Sequence, residues 1–359
     1  MDNPITHFRP NHKMINSRRN EIYNNNEVVN SNDMRKQIVN VDTRFRTVLT
    51  EPSTNCTFKF EHPYKNIIRM RVASVEIPNA WYEFSASNYQ NTYFSISAYD
   101  ISGILRTATI TIPDGNYSAV DLCVTIQNLL ITKFRNPYGI FITISPDPIS
   151  IKTTFIHNGV GAPGSTAPTA TARPFILDFK VPILCYQPFN FGLGSNLGFM
   201  NTLYNVTNIY DTSGTFVRYS QTSESLIDVV GDSYILLGID DNRGIEQRTT
   251  TNYFNCLAKI IVRESKYMII YDDGATLLSN DIIFPSPVDL AQVKIKLMDP
   301  YGNVLDMNYM NFSFSLEITE VMNTKMYEFY RNYIWLGTIP SLPANVTGSG
   351  QGLLGGKGP

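Results

Sequence analysis

The sequence NIIRMRVASVEIP at residues 66–78 decides the fold class. Apolar and basic residues alternate from Ile68 to Val72, which is the period-2 pattern of a strand with one buried face. From Val75 onward the apolar positions fall in the opposite phase, so the pattern slips by one residue near Ala73. A β-bulge, or a strand that crosses between two packed layers, produces such a slip.

Strand-like runs recur on both sides of this stretch, separated by turns rich in Pro, Gly and Asn. They include TYFSISAYD, RTATITI, IFITI, SYILLGI, CLAKIIV, VKIKL and NFSFSLEITEV. Many short strands with little helix predict a mainly β protein with an antiparallel β-sandwich.

One amphipathic helix interrupts the strands. Ser118 is a candidate N-cap, with Asp121 three residues later, and Lys133 and Arg135 suit the C-terminal end. The apolar stripe consists of Leu122, Ile126, Leu129, Leu130 and Phe134. We expect this helix to pack on a sheet.

The chain divides into a body and two polar ends. Residues 1–36 are Asn-rich and aperiodic, which predicts a flexible N-terminal arm, either a disordered tail or a segment that orders on a neighbouring subunit. Residues 37–335 form the predicted body, with long polar loops at 157–174 and 201–232 that are candidate binding surfaces. Residues 336–359 form a Gly-rich flexible tail.

The surface is expected to be polar rather than ionic, because only 17% of the residues are charged while 43% are hydrophobic. Uncharged groups lose less on desolvation than ions, which favours extensive contact with other proteins. The net charge of −2 gives no basic field for specific nucleic-acid binding.

Cysteine usage favours a reducing compartment. Cys56, Cys123, Cys185 and Cys256 are scattered without a CxxC pair, and we interpret them as buried thiols. Neither a signal peptide nor a membrane span is evident, so we expect the protein to be made in the cytoplasm.

Motifs for catalysis, cofactors or metals are weak, so no catalytic, cofactor-binding or metal-ligating residue is predicted. GVGAPG at residues 159–164 matches GxGxxG, but its prolines oppose the helix that a dinucleotide site needs. The histidines, His7, His12, His62 and His157, are far apart. The acidic pairs Asp240–Asp241 and Asp272–Asp273 follow strands, and we interpret them as turns rather than cation ligands.

Aromatic residues are the remaining candidates for function. Trp81, Tyr82 and Phe84 follow a strand, and they are either core or interface anchors. The run MYEFYRNYIWL at residues 326–336 has many large rings, and we expect it to dock onto the body or onto a partner.

Several segments together resemble a known family. They are QIVNVDTRFR, RMRVASVEIPNAWYEFS, ITIPDGNYSAVDL, LGF at residues 197–199, GDSYILLGIDD and IKLMDPYGNVLDMNYMNFSFSLEI, and they span residues 37–321. The chain is in this respect similar to the minor capsid or penton-type proteins of nucleocytoplasmic large DNA viruses (giant viruses).

The resemblance implies a jelly roll, with two four-stranded antiparallel sheets face to face. A single roll with insertions is favoured over a tandem pair. It also implies a non-enzymatic structural protein of the virion capsid that binds the major capsid protein and other minor capsid proteins, as a pentameric penton or as lattice cement. A glycan- or receptor-binding β-sandwich on the virion surface is the alternative.

Overall fold

The structure is a computed structural model, and it describes residues 34–182, 192–211, 217–239, 245–248, 253–274, 277–279, 281–325 and 327–328. These residues are mainly β with antiparallel pairing, which confirms the predicted fold class. The strands in chain order are β1 (Met34–Asp42), β2 (Asn55–Pro78), β3 (Tyr93–Tyr99), β4 (Leu105–Thr111), β5 (Ile140–Pro146), β6 (Thr153–Val160), β7 (Phe175–Asp178), β8 (Leu203–Val206), β9 (Ile209–Asp211), β10 (Arg218–Thr222), β11 (Tyr234–Ile239), β12 (Ile245–Arg248), β13 (Tyr253–Cys256), β14 (Ala258–Ile261), β15 (Ile269–Asp272), β16 (Leu278–Ser279), β17 (Ile282–Met298) and β18 (Ser313–Val321).

Two large hydrophobic cores divide the described residues into two lobes. The terminal lobe is built from residues 34–81 and 233–321, and the inserted lobe from residues 84–230. Two rolls in tandem would follow one another along the chain, whereas here one lobe interrupts the other. This arrangement is compatible with the favoured prediction of one roll with long insertions.

The terminal lobe contains an eight-stranded sheet in the order β1-β18-β2-β17-β11-β14-β16, with β15 paired to β2, and a separate two-stranded sheet of β12 and β13. Buried residues from β1, β2, β11, β14, β17 and β18 all belong to the same core, so the sheet curves around it. The long strands β2 and β17 pair over most of their length, with three shifts of register. These irregularities allow long strands to bend.

The predicted phase slip in β2 is a β-bulge. Ser74 pairs with Ser315, but the next pair joins Val72 to Leu316, so Ala73 has no partner on β18. Val72 and Val75 are therefore both buried in the terminal core although they are three residues apart.

The inserted lobe packs two four-stranded sheets around the second core, as expected for a jelly-roll sandwich. One sheet has the order β4-β3-β7-β8 and the other β5-β6-β10-β9. The ring centroids of Phe94 on β3 and Phe155 on β6 lie 5.6 Å apart, so the two sheets meet face to face. Phe179 and Phe199 stack beside them at 4.8 Å.

The predicted helix is present as α1 (Ala119–Leu130), which continues through a π-helical turn (Ile131–Arg135) and a last turn (Asn136–Tyr138). The Ser118 hydroxyl accepts a hydrogen bond from the Asp121 amide at 3.1 Å, which confirms the predicted cap. Gln127 covers the β5 edge, since its side chain donates to the Ile142 carbonyl and accepts from the Ile144 amide. A short second helix is α2 (Leu193–Asn196).

Gly139 ends this helix with a positive φ of 64°. A Cβ at this position would lie 2.0 Å from the Gly161 carbonyl oxygen, so only glycine fits.

The two predicted loops are wrong in extent. Residues 201–232 contain β8, β9 and β10, and residues 157–160 belong to β6. Strands of three to five residues give too few alternations to reveal a period. Similarly, residues 34–36 of the predicted arm belong to β1. The remaining terminal segments, 1–33 and 329–359, lie outside the described residues.

We expect the two cores to be separable in a matched pair of substitutions. Leu316→Ala in β18 and Leu177→Ala in β7 each remove a fully buried leucine side chain, and each should cost about 2–5 kcal/mol. In hydrogen exchange measured by mass spectrometry, Leu316→Ala should reduce protection mainly in the terminal lobe and Leu177→Ala mainly in residues 84–230. Equal loss of protection in both lobes from either change would show that the lobes unfold as one unit.

Candidate interaction surfaces and the junction between the lobes

One end of the terminal lobe exposes an apolar surface. Tyr309 is 101% exposed, Phe45 71% and Leu49 68%. We call the loop-end patch the set Phe45, Val48, Leu49, Tyr309 and Met310. Tyrosine, phenylalanine and methionine are enriched in protein interfaces, and clustered apolar residues on a surface mark contact sites.

Hydrogen bonds join the two loops that carry the loop-end patch. Arg46 Nη1 donates to the Thr43 carbonyl and to Asn311 Oδ1, both at 2.8 Å. Ser53 Oγ donates to the Met310 carbonyl at 2.6 Å. The patch is thus held in place without a partner, which lowers the entropy lost on binding.

The backbone beneath Tyr309 is strained. Asn308 and Tyr309 have positive φ values of 49° and 63°, a conformation that is costly for residues other than glycine. The Asn308 side chain donates to the Ala80 carbonyl at 2.6 Å, which holds this turn against the end of β2.

Trp81 and Phe84 connect the two cores. Trp81 is buried in the terminal core and Phe84 in the inserted core. Both are therefore core residues in the free chain. Tyr82, which lies between them, is half-buried.

Glu83 and Lys266 form an ion pair at the junction between the lobes. Trp81 Nε1 donates to Glu83 Oε1 at 3.1 Å, and Lys266 Nζ lies 4.6 Å from the centre of the indole ring. Gly231, with φ of 79°, approaches Glu83 so closely that a Cβ would overlap the carboxylate. The junction therefore requires glycine at position 231.

Carboxylates outnumber the lysine at this junction. A cavity of about 140 Å³ is lined by Glu83, Asp228 and Asp232, together with Tyr89, Asn91 and Tyr301. Burial, together with the charges of neighbouring carboxylates, raises the pKa of Asp232 to about 7. Burial also raises the pKa of Glu83 and of Asp299, and it lowers the pKa of Lys266. The junction thus favours the protonated form of at least one carboxyl group.

The two segments predicted as binding loops meet in space. The Ala172 amide donates to the Val217 carbonyl at 3.0 Å. A cavity of about 300 Å³ beside them is lined by Pro168 and Arg218 and by residues of α1, β5 and β6, including Gln127, Arg135, Phe141 and Asn158.

The GVGAPG segment is the end of β6 followed by a turn. Val160 and Ala170 exchange backbone hydrogen bonds of 3.1 and 2.9 Å, and the Gly161 amide donates to the Gly139 carbonyl at 2.8 Å. The glycines thus allow the backbone to pack closely against the end of the helix.

The acidic pair after β15 is a turn, as predicted. Asp272 Oδ1 accepts a hydrogen bond from the Gly274 amide at 3.0 Å. Residues 240 and 241 lie outside the described ranges. Among the residues that the structure does describe, no cluster of three or more His, Cys, Asp or Glu could hold a metal ion.

The three cysteines that the structure describes and His157 are buried, as core residues are. Cys56, Cys123 and Cys256 are buried free thiols, and burial raises the pKa of the first two to about 11. Cys185 lies outside the described residues. His157 Nδ1 lies 2.8 Å from the Arg173 carbonyl oxygen, and burial lowers its pKa to about 4.

Sequence reasoning missed the loop-end patch and the junction. Their members come from segments that are far apart in the sequence, with 183 positions between Glu83 and Lys266. Nothing in the local pattern distinguishes an exposed Leu49 from a buried one. Within the described ranges, no helix is long and apolar enough to cross a membrane.

No protein-family model and no curated protein matches this sequence. The crystal structure of selenomethionine-labelled mavirus penton protein is similar with a TM-score of 0.38 and 8% identity, covering 79% of this chain and 98% of that chain. A chain of the Sputnik virophage structure, determined by cryo-EM, is similar with a TM-score of 0.37 and 13% identity, covering 81% of this chain and 98% of that chain. Both values describe a distant likeness.

The junction should weaken as the pH rises. The pKa of Asp232 is higher in the folded chain than the usual 3.8. The folded state therefore binds more protons than the unfolded state between about pH 4 and pH 7, so stability falls as the pH rises across that window. Asp232→Asn keeps the neutral form at every pH. The free energy of unfolding of Asp232→Asn, relative to that of the wild type, should increase by on the order of 2 kcal/mol as the pH rises from 5 to 8, after a discount for partial exposure.

Urea denaturation at each pH measures this difference. Glu61→Gln, at an exposed carboxylate of the terminal lobe, is the control, and its difference from the wild type should be the same at pH 5 and pH 8. A pH-independent difference between Asp232→Asn and the wild type would contradict the raised pKa.

Proposed function

We propose that this chain is a structural protein of a virion, a minor capsid component of the kind found in nucleocytoplasmic large DNA viruses. It binds neighbouring capsid proteins to build and stabilise an icosahedral shell, and it acts by binding rather than by catalysis. The observation that carries this proposal is the loop-end patch, which is a preformed apolar surface on a β scaffold. The segments that resemble minor capsid proteins support it independently.

The physical argument rests on desolvation. Burial of exposed apolar side chains at an interface contributes roughly 25 cal/mol of favourable free energy for each Å² removed from water. Since Arg46 and Ser53 already hold the loops in place, little of this free energy is offset by conformational entropy that the loops lose on binding. A rigid aromatic centre is the usual composition of a binding hot spot.

The proposed partners are the major capsid protein and other minor capsid proteins. Terminal segments 1–33 and 329–359 are proposed to act as arms that contact these neighbours, so that many weak contacts add up. The protein is proposed to be made in the host cytoplasm and to reside in the capsid.

Position in the shell follows from copy number. A ratio to the major capsid protein that corresponds to one pentamer at each vertex supports a penton. A ratio many times higher supports a cement protein that is repeated across the lattice. Quantitative mass spectrometry of purified particles measures this ratio. Absence of the chain from particles would refute the virion assignment.

A second candidate function is binding of a glycan on a host surface. The cavity of about 300 Å³ beside Arg218 has the size of a small-ligand site. Its lining includes Arg218, Asn158 and the ring of Phe141, which are polar and aromatic groups of the kind that bind acidic sugars. Specific signals on a glycan array that disappear in Arg218→Ala would support this function, and no specific signal would oppose it.

Charge on the loop-end patch should block incorporation into particles. The double variant Leu49→Glu/Tyr309→Glu changes two exposed side chains, so its stability should stay within about 0.5 kcal/mol of the wild type. Loss of a buried apolar contact should reduce incorporation by about tenfold or more.

Ile149→Glu is the matched control, because Ile149 is 92% exposed on the inserted lobe. It should be incorporated like the wild type. Particle content measured by mass spectrometry, together with thermal melting of the purified variants, decides the result. Wild-type incorporation of the double variant would show that the loop-end patch is not a capsid contact.

A further inference from the structure

A groove lies between β1 and the first half of β2. Its volume is about 840 Å³, and its walls are Arg35 and residues 37–40 of β1 and residues 58–65 of β2, with Glu320 at one end. We call it the β1–β2 groove. It lies outside the loop-end patch and the junction.

Both walls of the groove are strands with an incomplete set of partners. Among the residues that the structure describes, β1 pairs only with β18 and lies at the end of the sheet order. Residues 58–65 of β2 share a ladder with β17 alone in the same set, since the β18 ladder on β2 begins at Ile67. Of the contacts from described residues, only one reaches this stretch from the other side, since the Lys59 amide donates to Thr47 Oγ1 at 2.9 Å. A free strand edge offers backbone donors and acceptors to an added strand.

The floor of the groove is aromatic. The ring centroids of Phe58 and Phe60 lie 5.6 Å apart, and those of Phe60 and Tyr64 lie 5.1 Å apart. All three rings are half-buried and pack against the terminal core. At the rim, Ile38 is 63% exposed. An inserted side chain would therefore extend the terminal core outward.

We propose that the β1–β2 groove binds residues 329–336 of a second copy of this chain as an added β-strand. The segment reads FYRNYIWL, with large apolar or aromatic residues in both phases of a strand. Such a pattern suits a strand that is covered on both faces. Eight residues extend over roughly 26 Å, which is enough to follow most of β1.

The described chain ends beside its own β1–β2 groove, so the groove and the start of residues 329–336 lie on the same side of each copy. Met34 pairs with Val321, so β1 begins and β18 ends side by side, next to the groove residues Arg35 and Glu320. The chain continues for 31 residues beyond Glu328.

The route of the chain after β18 favours a second copy over the same chain. Tyr327 is buried against Ile68 and Val321, whereas Ile67 belongs to the terminal core. Neighbouring residues of a strand point to opposite faces, so Tyr327 lies on the outer face of the sheet and the aromatic floor packs toward the inner one. The segment of a second copy reaches the groove without passing around its own sheet.

Photo-crosslinking of the full-length chain tests this proposal. The photoreactive residue p-benzoyl-phenylalanine replaces Ile38, and the exposed Val120 on α1 is the matched control position. Equal amounts of light and heavy-isotope chains are mixed, dissociated, reassembled and irradiated. We expect crosslinks from position 38 to residues 329–336 in light–heavy pairs, and none to that segment from position 120.

Crosslinks to residues 329–336 found only within one isotope form would place the segment in its own groove and overturn the second-copy proposal. Crosslinks from position 38 to other regions alone would overturn the segment assignment. Either result leaves the capsid role untouched, because that role is measured by incorporation into particles.

A peptide competitor tests strand pairing itself. Excess peptide with the sequence of residues 329–336 should suppress the light–heavy crosslinks. The same peptide carrying Ile334→Pro loses a backbone donor and the extended backbone around it, so about tenfold more of it should be needed. Equal competition by both peptides would show that the groove binds apolar side chains without forming a ladder.

Discussion

The rest of the structure depends on the hydrogen-bond ladders of β2. This strand pairs with β18 and β17 and with the short β15, so it joins segments from both ends of the described chain. Because both ends of the terminal lobe are fixed on one strand, the residues between them can leave the sheet and return without loss of its core. The bulge at Ala73 lets the strand keep its apolar side chains inward as it bends. The curved terminal lobe, the inserted lobe and the β1–β2 groove all follow from this single strand.

The junction between the lobes has a different physical character from the cores. Both cores are apolar and close-packed, whereas the junction combines a buried ion pair with further carboxylates around a polar cavity. Buried ion pairs contribute little net stability compared with apolar packing, since desolvation cancels much of their attraction. The relative placement of the lobes thus depends on protonation, and the interior of each lobe depends on hydrophobic burial. Surfaces that lie on different lobes are consequently linked by a junction whose stability changes with pH.

Local patterns predicted what depends on neighbours in sequence. The alternation around Val72 and Val75 indicated a bulge, Ser118 indicated the start of the helix, and the Asp272 turn followed from its glycine. The contacts between segments that are distant in sequence could not be predicted from these local patterns. The strands in residues 201–232 are too short to show a period, and Glu83 meets Lys266 across 183 positions. The exposure of Phe45 and Tyr309 could not be predicted from the local sequence either, because an apolar residue in a loop gives the same pattern whether it is buried or exposed. The resemblance to minor capsid proteins indicated a fold and a role but named no surface.

The close approach of Gly231 to Glu83 has an evolutionary consequence. The chain leaves the terminal lobe near Glu83 and re-enters it near Gly231, at adjacent points in space. A segment whose two ends are neighbours can be exchanged, lengthened or deleted with only a short join between them. The terminal lobe can therefore be maintained for shell building while the inserted lobe diverges under a separate selection. Related chains with the same outer frame and unrelated middle regions are what such an entry point permits.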